Sequence, residues 1–592
     1  QADRAIITRQ AETGRIRSIK LHGHVTLEQP QQRIVAQQGT LDYDHNTQQF
    51  QATLYRLYTK IKQHYFYIWG KAEHYFRNAA GDITLTDATY STCNPLHPSW
   101  HLAAKSIHIN HQTQRGAAYN ALLYLHNIPV FYTPYFSFVT APNRKTGFLF
   151  PSITHNNLHG SALALPFYWN MAANFDDTIT PTYYAKSGLM LTNTFRYLTA
   201  HSHGQLNSKI MFNDATFNAF KKKQIETLPD SQDRRTLQSS GPFRGYINYN
   251  NTTRFNNLLN ATVHLNAVTD PYFLSDYSSP TAYTTNTLQA QQLFNEARLN
   301  YNGRHWQDSL ALSGYQTLHQ INAPATSQYQ RLPEFNATGS YDHLLGNNSF
   351  DMSLQYTHFS YYSLYSPFTY QYPIGHRLHL QPQLSHHFFN AKGYFQPSII
   401  LDTLSDSAQL ATDSEHSQRQ NLSQSRLIPI TSIDSGSYLE HRFHWQQQSY
   451  VQTLEPRIMY TYIPYQDQSA FPNFDTQTLP FSYNQVFRYN AFSGPDRLQN
   501  TNQLSLGLTS RLLNTNTNQN LLTGKLGIIN YFTPRRVCVG ASTDCTANKE
   551  QLSPLVGELT AYPLPHWSVT SSAAWNIHNQ YIDNATISAR YH

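Results

Sequence analysis

The chain has 592 residues, of which 13% are charged and 14% aromatic, with 42 Tyr, 32 Phe and a net charge of +7 when its 29 His are counted neutral. A water-soluble domain carries about a quarter charged residues, so this composition argues against an ordinary soluble globule, and the scattered Lys and Arg argue against a nucleic-acid face. Mean hydropathy is −0.54 and no apolar run approaches the roughly 18 residues that a membrane helix needs. Strands that alternate apolar and polar side chains average to a hydrophilic score, which leaves a closed barrel as the route across a bilayer.

Residues 1–125 read as short alternating stretches between turns. Ile16-Arg-Ser-Ile-Lys-Leu21 follows Gly14; Ile34-Val-Ala-Gln-Gln-Gly-Thr-Leu-Asp-Tyr43 runs through Asn46 into Phe50-Gln-Ala-Thr-Leu54. The beat returns at roughly 35 residues, the mark of stacked two-strand units. Each unit is too small to bury its own face, so together they predict a β-roll with an apolar groove, and Ile34 and Leu54 are candidates for it. Residues 126–147 read as a crossing segment.

From residue 148 to 592 the pattern becomes segments of about ten alternating residues between polar turns, the signal of an outer-membrane barrel. In Leu259-Asn-Ala-Thr-Val-His-Leu-Asn-Ala267, Leu259, Ala261, Val263, Leu265 and Ala267 point one way and Asn260, Thr262, His264 and Asn266 the other. Pro166-Phe-Tyr-Trp169 and Tyr183-Tyr184 fit an aromatic girdle. Room for roughly 18 to 20 strands follows from about 20 residues per strand and turn. Lys221-Lys222-Lys223 with Arg234-Arg235 reads as a solvated loop.

Three Cys exclude a disulfide scaffold. Cys538 and Cys545 bracket a short loop, and their spacing allows a local disulfide; two free thiols are the alternative. Pro151 and Pro166 each interrupt a good strand pattern, and proline cannot donate to the ladder. His201 with His203, His386-His387 and His416 lack a completing carboxylate or Cys, so no metal site is expected. No P-loop, G-x-G-x-x-G or G-x-S-x-G motif occurs. We therefore expect no catalytic residue, no cofactor and no enzyme. The chain begins at Gln1 with no secretion signal, which we expect to have been removed or to lie outside this sequence.

One stretch carries more information than the rest: Gln452-Thr-Leu-Glu-Pro-Arg-Ile-Met-Tyr-Thr-Tyr-Ile-Pro-Tyr-Gln-Asp-Gln468, followed by Phe471-Pro-Asn-Phe-Asp-Thr476. It resembles a signature of the outer-membrane lipopolysaccharide-assembly protein D (LptD) family, also called organic-solvent-tolerance protein. Further segments match in the family's order: Asp87-Ala-Thr-Tyr-Ser-Thr-Cys93, Asn127-Ile-Pro-Val-Phe-Tyr-Thr-Pro-Tyr-Phe136, Arg144-Lys-Thr-Gly-Phe-Leu149, Val268-Thr-Asp-Pro-Tyr-Phe273, Ser432-Ile-Asp-Ser-Gly436, Phe492-Ser-Gly-Pro-Asp-Arg497 and Ser553-Pro-Leu-Val556. The resemblance implies an all-β chain: a partial periplasmic β-jellyroll (1–125), the crossing (126–147) and a large antiparallel transmembrane β-barrel (148–592). The family ends in a strand with two adjacent Cys, absent here, so the resemblance leads us to expect an incomplete C-terminus. It also implies that Cys93 is an inter-domain disulfide candidate and that Pro151 and Pro166 mark a lateral gate at the periplasmic end of the first two strands.

The function implied by the resemblance is insertion of lipopolysaccharide into the outer leaflet, with lipid passing through the roll groove and gate and sugar through the lumen. Implied partners are lipopolysaccharide, a plug lipoprotein in the lumen (LptE-like), a periplasmic bridge protein (LptA-like) at the N-terminal roll, and the outer membrane. A passive porin-like channel is the alternative; a porin needs no roll.

Overall fold

The computed structural model describes residues 1–29, 32–61, 64–93, 99–113, 115–139, 144–229, 232–277, 291–321, 325–361, 372–411, 419–445, 447–539, 548–564 and 566–591. It divides into two compact units, one of residues 1–152 with 164–181 and one of 153–163 with 182–592.

In the first unit, β1 (Arg4–Arg9), β2 (Ile16–Gln29), β3 (Gln32–Asp42), β4 (Thr47–Ile61), β5 (His64–Arg77), β6 (Ile83–Tyr90), β7 (Trp100–Asn110), β8 (Arg115–Leu125) and β9 (Ile128–Val139) form one sheet in chain order. Successive strands pair antiparallel, as in β3 with β4 and β7 with β8. One contiguous core draws Val25, Ile34, Phe50, Tyr55, Leu85, Ile107 and Ala118 from strands spread across the sheet. A flat sheet holds strands about 4.8 Å apart, so such distant strands share a core only because the sheet folds back on itself. The Tyr55 hydroxyl donates to the Thr89 carbonyl, which satisfies the one polar atom that this large side chain brings inside. Gly70 makes that approach feasible, because a Cβ there would overlap the Thr89 carbonyl and crowd the Tyr55 hydroxyl.

Two expectations change here. Register sets Ile34 opposite Tyr55 and Val35 opposite Leu54. Ile34 and Tyr55 are fully buried, whereas Val35 and Leu54 are each 37% exposed. Ile34 and Leu54 therefore lie on opposite faces, because a strand's side chains alternate, and one groove cannot hold both. The segment expected to cross between domains is instead largely β9, paired along β8. Its Pro129 and Pro134 are tolerated because β9 is the last strand of its sheet, where one side needs no donors.

The second unit is an up-and-down antiparallel sheet. From Gly188–Leu198 and Ser202–Met211 to Trp567–Asn576 and Tyr581–Tyr591, each strand pairs with the next. Turns at one end are tight, as at 199–201, 303–305 and 515–518; the other end carries long connections, 212–243, 269–291 and 464–500. That asymmetry belongs to outer-membrane barrels. The faces differ as the alternation predicts: Ile247 and Leu265 are 45% and 43% exposed, while Asn248 and Asn266 hydrogen-bond to each other on the opposite face. The last strand, Tyr581–Tyr591, pairs on one side among the described residues and is exposed throughout.

The segment of Lys221–Lys223 and Arg234–Arg235, expected to be a solvated loop, instead contains α1 (Ala215–Thr227) and α2 (Gln232–Ser239). Asp214 caps α1 by accepting from the Phe217 amide at 3.0 Å. Lys221–Lys223 fall on α1, and the Lys221 ammonium donates to the Ser240 carbonyl at 2.7 Å. Two further short helices are α3 (Phe273–Tyr277) and α4 (Tyr483–Val486).

The opposite burial of neighbours on β3 gives a direct test. Ile34→Ala should destabilise the roll by about 2–5 kcal/mol through the cavity it leaves, and Val35→Ala by less than about 1 kcal/mol. Pulse proteolysis of the detergent-solubilised full chain, following cleavage within residues 1–139, measures both.

Candidate functional site

Three features converge on function: breaks in the first membrane strands, a long loop folded against the inner face, and a second charged cluster at the same end.

The breaks are at proline. Pro151 separates the strands Gly147–Phe148 and Ser152–Asn156, and Pro166 separates Gly160–Ala164 from Phe167–Ala172. The Leu149 amide donates to the Pro166 carbonyl at 2.8 Å, and the Leu165 amide to the Pro181 carbonyl at 3.0 Å. Pro151, Pro166 and Pro181 thus recur at one level of three successive spans, each removing a donor from the ladder. Pro181 was missed in the sequence, although its repeat of the interval between the other two is a legible signal. The breaks interrupt the first two spans, with strand on either side of each proline. Phe148 and Phe150 flank them, 65% and 66% exposed.

The loop 464–500 joins the strands Gln448–Ile463 and Thr501–Asn514. It turns inward and is held by arginines of the wall. Arg377, on Ile374–His386 and 1% exposed, donates from Nη1 to Asp475 Oδ1 at 2.7 Å and to Asp496 Oδ1 at 2.6 Å. Arg331 donates to Asp475 Oδ2 at 3.0 Å. Arg426 donates from Nη1 to Gln468 Oε1 and to the Asp496 carbonyl, both at 3.0 Å. Asp496 also closes the loop on itself: its Oδ2 accepts from the Phe474 and Asp475 amides at 2.8 and 3.0 Å. Phe474 stacks on Phe359 of the wall with centroids 4.2 Å apart. Farther along, Val486 of α4 is buried among Ile529, Val556 and Ala574, and Asn584 donates to the Phe481 carbonyl at 3.4 Å. A single loop reaches strands from Gln330–Leu345 round to Tyr581–Tyr591 only because the sheet curls about it.

Close approach is enforced by paired glycines. Gly507 lies opposite Gly527. A Cβ at Gly507 would stand 2.5 Å from Phe487, and one at Gly527 3.0 Å from Val486. Burial alone would raise Asp475, but the Arg377 and Arg331 charges and hydrogen bonds hold its carboxyl below the usual value.

The second cluster centres on Arg244, 1% exposed at the start of Arg244–Arg254. It pairs with Asp214 at 2.6 Å, Asp270 at 2.8 Å and Asp276 at 2.9 Å, with Phe217 4.0 Å beneath the guanidinium. It ties α1 and α3 to the wall. Beside it, His159 Nδ1 meets Ser187 Oγ at 2.6 Å. That Ser–His pair is 0–1% exposed, so no substrate atom reaches it.

The remaining candidates stay apart. Cys93 is a free, half-buried thiol just past β6. Cys538 is disulfide-bonded, and Cys545 lies outside the described residues, as does His416. His201 stands in a turn and His203 in a strand; His386 bonds Asn348 at 2.7 Å, and His387 bonds Ser349 at 2.8 Å. Among the described residues no cluster suited to a metal forms. The charged groups that do converge were missed as a site, although Asp270, Asp475 and Asp496 all sit inside peptides singled out in the sequence.

A folded antiparallel roll, followed by an up-and-down sheet with an apolar outer face and an inward-folded loop, defines an outer-membrane β-barrel protein with an appended β-jellyroll. The chain belongs to the LptD family: a family model described as LPS transport system D matches residues 242–592. The LPS-assembly protein LptD of Coxiella burnetii is 40% identical over 100% of this chain and 68% of its own length. That of Legionella pneumophila (strain Paris) is 33% identical over 100% of this chain and 70% of its own, and that of Pseudomonas aeruginosa (strain UCBPP-PA14) 31% identical over 86% and 56%. The FrpB iron transporter of Neisseria meningitidis superimposes with a TM-score of only 0.26 at 8% identity, covering 95% of this chain and 79% of that one, too slight a likeness to inform the fold.

Removing Arg377 leaves the buried Asp496 carboxylate without its cation, while Asp475 keeps only Arg331. Arg377→Met should destabilise loop docking by about 3–5 kcal/mol, read as new protease cleavage within 464–500 on intact cells while the heat-modifiable barrel persists. The lowered Asp475 also fixes an acid limit. A depressed carboxylate stabilises fully above its unfolded value of about 3.9 and loses that contribution as pH falls through the lower folded value. Cleavage of the loop should therefore rise below about pH 4.

Proposed function

We propose that this chain is the outer-membrane component that inserts lipopolysaccharide into the outer leaflet. It acts as a transport protein and not as an enzyme. The observation that carries this reading is the pair of strand breaks at Pro151 and Pro166, in a chain of the LptD family. A barrel releases an amphiphile sideways only where its wall can part, and a wall parts where ladder bonds are fewest.

The roll takes the acyl chains. Its interior, with Ile34 fully buried among Phe50, Tyr55 and Leu85, is the apolar path; burying each methylene is worth about 0.8 kcal/mol, so a multi-acylated lipid does not cross water unaided. The sugar keeps to the polar inner face of the barrel. The β1 edge, exposed along its whole length, suits strand addition by an LptA-like bridge protein. An LptE-like plug lipoprotein would occupy what the loop 464–500 leaves of the lumen, and Cys93 would tether the roll. The inward loop speaks against an open porin-like pore.

The test replaces both prolines with alanine in the full-length protein. Up to two ladder bonds are regained, each worth roughly 0.5–1.5 kcal/mol, so closure should be favoured by about 1–3 kcal/mol. Barrel assembly should be unchanged and lipopolysaccharide at the cell surface reduced severalfold. Normal surface delivery with normal assembly would remove the gate.

A further inference from the structure

The inner face of the second unit is not uniform. From Gln330–Leu345 onward the wall presents arginines and aspartates that the loop 464–500 covers. On Ser202–Met211, Arg244–Arg254 and Leu259–Val268 it presents a run of neutral amides, with Lys209 on the same face and Arg196 opposite Gln205 on the neighbouring strand. Gln205 lies opposite Asn250 and Asn207 opposite Asn248; Asn250 lies opposite His264 and Asn248 opposite Asn266. Two cross-strand rows result, stacked one above the other.

The side chains are linked. Gln205 donates to Asn207 at 2.8 Å, Asn207 to Asn248 at 3.2 Å, Asn248 to Asn266 at 2.7 Å and Asn250 to Asn248 at 2.9 Å. Lys209, two residues on from Asn207 and on the same face, donates to the Tyr277 carbonyl of the inward α3 at 2.9 Å. The opposite face of these strands carries the exposed Ile247 and Leu265. The amides therefore line the interior. Asn250 is exposed, and the other four amides and His264 are half-buried. A recess of about 520 Å³ opens beside Gln205, Asn250 and His264.

Each amide has two donors and an acceptor with two lone pairs, and the bonds within the network leave part of that capacity facing inward. A neutral amide meets a sugar hydroxyl as donor or acceptor, whatever its configuration at carbon. Each such bond has a small net value, and many weak, equivalent contacts are what a passing chain needs, held well enough to enter and loosely enough to leave. We propose that this amide wall is the track along which the saccharide part of the exported glycolipid slides, and that Asn248 and Asn250 are its central contacts. The proposal rests on the export reading above and assigns the sugar to one side of the barrel.

The experiment uses the full-length protein in cells making lipopolysaccharide with and without a long polysaccharide. A photo-crosslinking residue at Asn250 should capture the long form at least tenfold more than one at Ile247, on the same strand but the outer face. The pair Asn248→Leu with Asn250→Leu should lower surface delivery of the long form severalfold, leave the short form nearly unchanged, and be rescued by Asn→Gln at both positions. A crosslinker at Ile34 separates the two claims. Capture at Ile34 with none at Asn250, or equal capture at Asn250 and Ile247, overturns the amide track and leaves export standing. Capture at none of the three overturns both. An equal fall of long and short forms marks a general barrel defect and also overturns the track.

Discussion

The guanidinium of Arg377 organises the interior of this barrel. A buried cation of this kind persists only with carboxylates at hydrogen-bond distance, and both of its carboxylates, Asp475 and Asp496, come from the loop 464–500. Asp496 turns back to bind the amides of Phe474 and Asp475, so the shape of the loop and its attachment to the wall depend on the same side chain. Phe474 on Phe359, Gln468 under Arg426 and the glycines opposite Phe487 and Val486 follow from holding the loop there.

The same constraint divides the interior. Where arginines meet acidic loop residues, the wall is covered and its arginines are paired with the loop. Where the wall carries Asn and Gln, the groups bond along the sheet and stay partly open. The first spans add a third kind of wall: Pro151 and Pro166 interrupt the ladder, with exposed phenylalanines beside the break. Anchored, open and weakly paired surfaces thus occur in one sheet.

The roll solves a different problem. Its strands have too little area to bury a face alone, and the folded sheet supplies the missing cover. Tyr55 and Tyr75 show the cost of that interior: burial pushes the Tyr55 phenol well above its usual value and the Tyr75 phenol up to about 12. Tyr55 retains a hydrogen bond to Thr89, which makes it compatible with an otherwise apolar core.

The sequence by itself determined what alternation and turn chemistry control. It fixed an all-β chain, a change of character after the first 140 or so residues, strands such as Leu259–Val268 with their faces, and family membership through peptides in order. It located Pro151 and Pro166, because a missing amide is a local property. Tertiary structure alone decided the rest. The faces of Ile34 and Leu54 depend on register, which one residue of slip inverts. Ile128–Val139 became a ninth roll strand because β8 offered a free edge. Lys221–Lys223 fell on a helix because Asp214 caps it and is itself held by Arg244. Arg377 and Asp496 are separated by more than a hundred residues, and no spacing rule joins them; only the curl of the sheet about the loop puts their charges in contact.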